Sequence, residues 1–268
     1  MNHKSFDLLG SVAIVNFPRE ARQREKKKFA EKLMQNNKSI KSVLEKTGKF
    51  SGRLRKMKTK FVAGEKTKEI LYRENGCVFR FNIDKTYFSP RLSNERKEIA
   101  SKIKKGDNVL VMFAGVAPYS IVIAKNSKAK KVYSNEINRE ANKYAQLNIG
   151  LNNLKNKIEL VSGDIKRVAR NWIKTHRNTP TTHPLFDVIV MPRPQLRETF
   201  LEQAFMLAEK GTRIYYYDFS KQNETDKVVE RIKKEAKKFK RRIKILKIKK
   251  AGEIGPYRVR VRVDFIVY

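Results

Sequence analysis

The 268-residue sequence predicts an α/β protein: a largely parallel, seven-stranded sheet with helices on both faces and an antiparallel pair at its end, preceded by a small α+β module. Three observations predict it. From about residue 85, short apolar runs alternate with helical patterns. The closing "YRVRVRVDFIVY" alternates strictly, with no helical pattern between it and the preceding strand, as an antiparallel edge does. The first 84 residues instead mix short strands and glycine turns around one strongly basic helix.

In order along the chain, "FDLLGSVAIVN" at 6–16 reads as two strands around Gly10. The stretch 18–48 opens "PREARQREKKKFAEKLMQNN", a helix with Phe29 and Leu33 at i, i+4 and a basic opposite face. "SVLEK", "GRLRKMKTKFVAG" and "ILYRENGCVFRFNI" add strands and turns, punctuated by Gly48, Gly52, Gly64 and Gly76. The expected domains are therefore a basic module, 1–84, and a sheet domain, 85–268. In the second, strands are expected at 108–113, 131–135, 158–162, 186–191, 213–219, 243–249 and 257–267. Helices are expected near 93–104, 119–125, 138–149, 165–175, 197–210 and 223–241. "YYY" at 215–217 reads as strand core, and Trp172 as helix packing.

Composition narrows the partners. There are 62 Lys+Arg against 27 Asp+Glu, a net charge of +35, which favours a polyanion, most simply nucleic acid. A thermophile's surface usually raises Glu alongside Lys, and here the acids lag. Charge alone does not choose between DNA and RNA. One cysteine, Cys77, and three scattered histidines (His3, His176, His183) leave no disulfide and no zinc site to expect. With no apolar run of membrane length and no signal-peptide pattern, the expected protein is soluble and cytoplasmic.

"YFSPRLSNER", residues 87–96, leads into the first helix of the sheet domain. On a helical wheel, Leu92, Ile99 and Ile103 make one apolar stripe, with Arg96 about 40° to one side and Glu95 about 60° to the other. Either Glu95 answers the helix dipole with Arg96 tethering it, or both charges face a pocket.

Three strand ends carry ligand chemistry. In "VMFAGVAPYS", Ala114 and Gly115 allow a tight turn; in "VYSNEIN", Glu136 is placed to accept from ribose hydroxyls; in "LVSGDI", Gly163 and Asp164 are placed to read an adenine amino group. An acid at a strand end is as often a helix cap. One such feature per successive strand suggests a nucleoside ligand without a phosphate chain, because a complete G-x-G-x-x-G is absent. S-adenosylmethionine suits such a site better than NAD.

"YFSPRLSNER", "FAGVAPYSIVIAK", "EIN", "GDI", "FDVIVMPRP" and "GPYRVRVRVDF" together resemble the archaeal/eukaryotic tRNA (guanine-37-N1) methyltransferases, a family that includes wyosine-pathway relatives. The resemblance runs from Phe6 to the C-terminus, and SPRL-x-x-ER is specific to the group. It implies a Rossmann-like class I methyltransferase sheet behind an RNA-facing module, S-adenosylmethionine as cofactor, and the tRNA anticodon loop as partner of a monomer that uses no metal. Carried over by motif, Arg96 contacts the cofactor, Glu136 its ribose and Asp164 its adenine, Gly115 forms the turn, and Pro192 lines the pocket. Glu95 is the proton acceptor for guanine N1, Arg55 of "GRLRK" meets O6, and Tyr87 packs beside the base. The family's second arginine near Arg55 falls on Met57. Val111 stands where members have an acid, Ala117 where glycine is common, and "PRP" places Arg193 at the pocket mouth.

The chemistry is consistent with those residue types. Guanine N1 holds its proton at neutral pH, so a carboxylate must take it, and a guanidinium answers the charge growing on O6. Two alternatives remain at this point: a wyosine-pathway transferase acting by carbon methylation or aminocarboxypropyl transfer, and an RNA-binding relative without catalysis, suggested by Val111 and Ala117.

Overall fold

In the computed structural model, which describes residues 6–48, 52–54, 56–176 and 185–268, β1 (Phe6–Leu9) turns back onto β2 (Val12–Val15) through Gly10. Gly10 has φ +58°, and a Cβ there would lie 2.1 Å from the Leu71 carbonyl oxygen, so the close approach requires glycine. β2 pairs in parallel with β3 (Ser42–Lys46), and β3 antiparallel with β4 (Thr59–Gly64). The crossover between β2 and β3 is α1 (Gln23–Asn36), whose Ala30, Phe29 and Leu33 pack on a core of Ala13, Val15, Val43 and Val62. Glu25 in its first turn accepts from the Arg22 backbone N–H at 2.9 Å, an acid at the positive end of the dipole.

β5 (Glu69–Glu74) and β6 (Cys77–Asn82) form a separate hairpin across Asn75–Gly76. Both turn residues have positive φ, +50° and +73°, which a two-residue primed turn demands. Phe79 and Phe81 pack on Phe88, with ring centroids 5.7 and 4.7 Å apart. The hairpin's free edge is satisfied by amides at the end of α4 (Arg139–Leu151). Asn148 Oδ1 accepts from Arg80 N at 2.7 Å, and Asn152 both accepts from Val78 N and donates to Val78 O.

The large sheet comprises β7 (Asn108–Val111), β8 (Lys131–Glu136), β9 (Ile158–Ser162), β10 (Val188–Met191), β11 (Arg213–Lys221), β12 (Ile243–Gly255) and β13 (Arg258–Val267). Their order is β12-β13-β11-β10-β7-β8-β9. β7 to β11 are parallel, and β13 inserts antiparallel between β11 and β12. This is the class I methyltransferase sheet that the sequence predicts. α2 (Ser93–Ser101), α3 (Pro118–Asn126) and α4 cover one face; α5 (Ile165–His176), α6 (Leu201–Leu207) and α7 (Asp226–Lys238) cover the other. Val109, Val111, Val190 and Tyr217 belong to the first core, and Leu110, Met112, Met191 and Tyr216 to the second. Burial on both faces is why these strands read as unbroken apolar runs. Trp172 packs edge-on against Tyr133 and Phe186.

Several elements differ from expectation: α2, β7 and β10 are two or three residues shorter than expected, and three others differ for visible reasons. The helix expected near 197–210 begins only at Leu201, because Phe200 adopts a left-handed conformation (φ +57°). The helix expected over 223–241 spans 226–238, and Lys240 is left-handed just past its end. The strand expected at 243–249 continues to Gly255 through register shifts after Lys250. There the ladder with β13, rather than a side-chain pattern, holds it extended. No helix among the described residues is long and apolar enough to cross a membrane.

Candidate active site

The strand order reverses between β7 and β10, which opens a crevice at their carboxyl ends. The turn leaving β7 is wound tightly: Phe113, Gly115 and Ala117 all have positive φ (+59°, +59° and +66°). A Cβ on Gly115 would press to 3.4 Å from the Tyr87 carbonyl oxygen. Ala117, fully buried, holds a conformation that costs a residue with a Cβ about 1 kcal/mol more than glycine. Val111, where the family resemblance marks a missing acid, is packed in the core.

Two backbone donors in this turn already have partners. Ala114 N donates to Asn135 O at 2.8 Å, and Gly115 N to Glu136 Oε2 at 2.7 Å. Glu136 Oε1 accepts from Asn138 N, also at 2.7 Å. Burial raises the Glu136 pKa, while the backbone N–H groups of Asn138, Gly115 and Ile137 pull the other way. The cap of α4 is Asn138, whose side chain accepts from Glu140 N at 3.1 Å. Glu136 is thus not the helix cap; its carboxylate lies on the cleft wall, together with Tyr87, Gly115 and Pro192.

An adjoining hollow is lined by Phe113, Ile165, Pro194 and Phe200, with Asp164 at its side. Asp164 accepts from Lys166 N at 3.0 Å and from Arg53 Nη2 at 2.8 Å. Partial burial works to raise its pKa, but these donors outweigh it and hold it below the usual carboxylate range. Arg53 is one of the "GRLRK" arginines, and beyond its place in that basic segment nothing in the sequence signals this contact. Arg55 lies outside the described residues. The residues present fit an adenosyl group: a pinned carboxylate for a diol, and a flat apolar slot edged by an acid.

Glu95 and Arg96 are both buried, but neither lines the cleft. Instead of contacting the cofactor region, Arg96 forms a two-point ion pair with Glu74 of the hairpin and donates to Ser89 O at 3.0 Å. Its guanidinium lies 5.2 Å from the Phe88 ring centroid. These bonds tie α2 to β5. Glu95, 6% exposed, stands one residue behind the cleft. Its Oε2 accepts from the Tyr217 hydroxyl at 3.0 Å and from Arg262 at 2.6 Å, and its Oε1 accepts from Lys249 at 2.6 Å. Tyr217, expected only as core, also contributes to the cleft wall. Arg193, expected at the mouth, does line the cleft; it is 5% exposed, and its guanidinium is ion-paired with Asp218 and bonded to the carbonyls of Leu196 and Glu198.

A second cavity, about 280 Å³, lies in the seam between the N-terminal sheet and the large domain, with Ile14, Met57 and Phe88 in its walls. It shares Tyr87, Gln195, Phe219 and Arg260 with the cleft.

A family model of the TRM5/TYW2 methyltransferase domain matches residues 70–246, and one of the TYW2 N-terminal domain matches residues 2–67. The chain is 33% identical over 300 residues to the tRNA (guanine(37)-N(1))/4-demethylwyosine(37)-methyltransferase Taw22 of Nanoarchaeum equitans, covering 97% of this chain and 98% of that one. It is 32% identical to the tRNA (guanine(37)-N(1))-methyltransferase Trm5b of Pyrococcus abyssi, covering 98% and 74%. Among solved structures, Methanocaldococcus jannaschii Trm5 in complex with adenosine superposes with a TM-score of 0.80 at 27% identity, covering 98% of this chain and 74% of that one.

Proposed function

The chain belongs to the TRM5/TYW2 methyltransferase family, and on that premise we propose that it methylates N1 of guanine 37 in tRNA, using S-adenosylmethionine. The observation that carries this reading is the cleft at the β7/β10 switch point, with Glu136 pinned by Gly115 and Asn138 beside the Asp164 hollow. The cofactor, when bound, supplies an electrophilic methyl group on a sulfonium. Glu136 would hold its ribose and Asp164 its adenine amino group, Gly115 would allow its close approach to the backbone, and Pro192 would line its pocket.

Substrate chemistry falls to the remaining groups. Tyr87 packs beside the extruded base, and Arg55 meets O6. Glu95 receives the N1 proton through Tyr217: the phenol oxygen accepts from N1 as its own hydrogen passes to Glu95 Oε2. Loss of that proton leaves the N1 lone pair free as the nucleophile that the reaction needs. Residues 1–84 serve as the RNA-facing module, with the hairpin strapping it to α4, and a cytoplasmic monomer engages the anticodon loop. The basic face of α1, with Arg24, Lys27, Lys28 and Lys32 exposed, supports that assignment.

A second reading is favoured by one finding: the Nanoarchaeum relative's name also includes 4-demethylwyosine methylation. Incubating the chain with an unmodified tRNA transcript and labelled cofactor, then mapping the product nucleoside by mass, tests both. N1-methylguanosine at position 37 is expected. A labelled nucleoside elsewhere, or none, overturns the proposal.

A further inference from the structure

We infer that Arg260 is a further catalytic residue, a second guanidinium that joins Arg55 in taking up negative charge on O6 of the purine as N1 loses its proton. This rests on the function proposed above and adds a residue to it. The methyl group must leave the cofactor cleft and arrive on the base, so the reacting atoms meet where the two cavities meet. Four residues form that common wall: Tyr87, Gln195, Phe219 and Arg260. Arg260 is the only cation among them.

Its state differs from that of the arginines around it. Arg53 is paired with Asp164, Arg91 with Asp7, and Arg193 with Asp218. The acids in the second cavity are also taken, Asp7 by Arg91 and Glu253 by Lys250. No side-chain hydrogen bond or ion pair joins the Arg260 guanidinium to any described residue, while its backbone lies opposite Phe219 in the β11/β13 ladder. It is partly buried on β13, with its guanidinium carbon 5.3 Å from the Phe219 ring centroid. The aromatic face restricts the guanidinium without using its N–H donors. A restrained, permanently charged donor at the transfer point is what electrostatic stabilisation of a developing oxyanion requires. No bond to Arg260 forms or breaks. It donates to O6 while the N1 proton leaves toward Tyr217 and Glu95.

The test is single-turnover methylation of a tRNA transcript carrying guanine 37, by the full chain with Arg260→Ala, Arg260→Gln and Arg260→Lys. The rate in the Ala and Gln variants is expected to fall about 100- to 1,000-fold, with affinities for S-adenosylmethionine and tRNA within about threefold of wild type. Millimolar guanidinium is expected to restore part of the Ala variant's rate and leave wild type unchanged. The Gln variant retains most of the side chain's bulk, so it reports on charge even where the Ala variant folds poorly. Rates within threefold of wild type overturn the inference. So does a loss confined to tRNA affinity with a salt slope shallower by about one, which identifies a phosphate contact instead. A wild-type chain that binds the cofactor but transfers no methyl group overturns the functional reading itself, and this inference with it.

Discussion

Arg53 Nη2 donates to Asp164 Oδ2 at 2.8 Å, tying a loop of the N-terminal module to the loop after β9. A side chain from the basic module therefore holds one of the acids on which the cofactor assignment depends. Substrate-side and cofactor-side elements share a contact far apart in sequence.

If Asp164 reads the adenine, Asp164→Ala weakens S-adenosylmethionine binding about tenfold, the worth of one good hydrogen bond. Arg53→Ala, which only frees the carboxylate, changes the affinity less than threefold. Isothermal calorimetry on both variants checks this. Equal losses would make Arg53 itself a cofactor ligand.

Arg96 and Glu74 are a buried pair, so removing one partner strands the other. Arg96→Leu is expected to cost about 3–5 kcal/mol. That corresponds to a fall in Tm of about 10 °C in a chain of this size. Cofactor affinity of the folded fraction stays within threefold. A large loss of affinity at unchanged Tm would return Arg96 to the cofactor.

Stability against pH carries two signatures. The hydrogen bond from Arg262, opposed by burial and aided by Lys249, lowers Glu98 to about 2 from 4.5. A depressed folded-state pKa gives stability that is present above about pH 4.5 and lost as the pH falls toward 2. Burial pushes Tyr119 up to about 12 from 10. That contribution is intact below pH 10 and lost as the pH rises through 12. In Tm-against-pH profiles, Glu98→Gln should flatten the acid limb and Tyr119→Phe the alkaline one. Unaltered limbs would refute these assignments.

The net charge of +35 predicts steep loss of tRNA affinity with salt. Replacing Lys27, Lys28 and Lys32 of α1 with Glu should lower that affinity more than tenfold and reduce the slope, leaving cofactor binding unchanged. A flat salt response in wild type would count against RNA binding through this surface.

Much of the molecule is legible in one dimension. β7, β8 and β10 are short apolar runs because both faces of a parallel sheet are covered, and "YRVRVRVDFIVY" alternates because β13 runs antiparallel beside β11. Glu136 and Asp164 were readable because a strand end is a local feature, and the sheet's topology puts such ends around one crevice. The wheel placed Glu95 and Arg96 at the border of a buried stripe, and both are buried.

The chain by itself determined the sheet, its order of elements and the acids at its strand ends, since periodicity and turn chemistry act over a few neighbouring residues. Tertiary structure alone decided that Arg96 is bonded to Glu74, that Glu95 stands behind Tyr217 among Arg262 and Lys249, and that Arg53 reaches Asp164. Each of those contacts joins residues 22 to 167 positions apart, and a charge's partner depends on which side chains the folded backbone brings within a few ångströms.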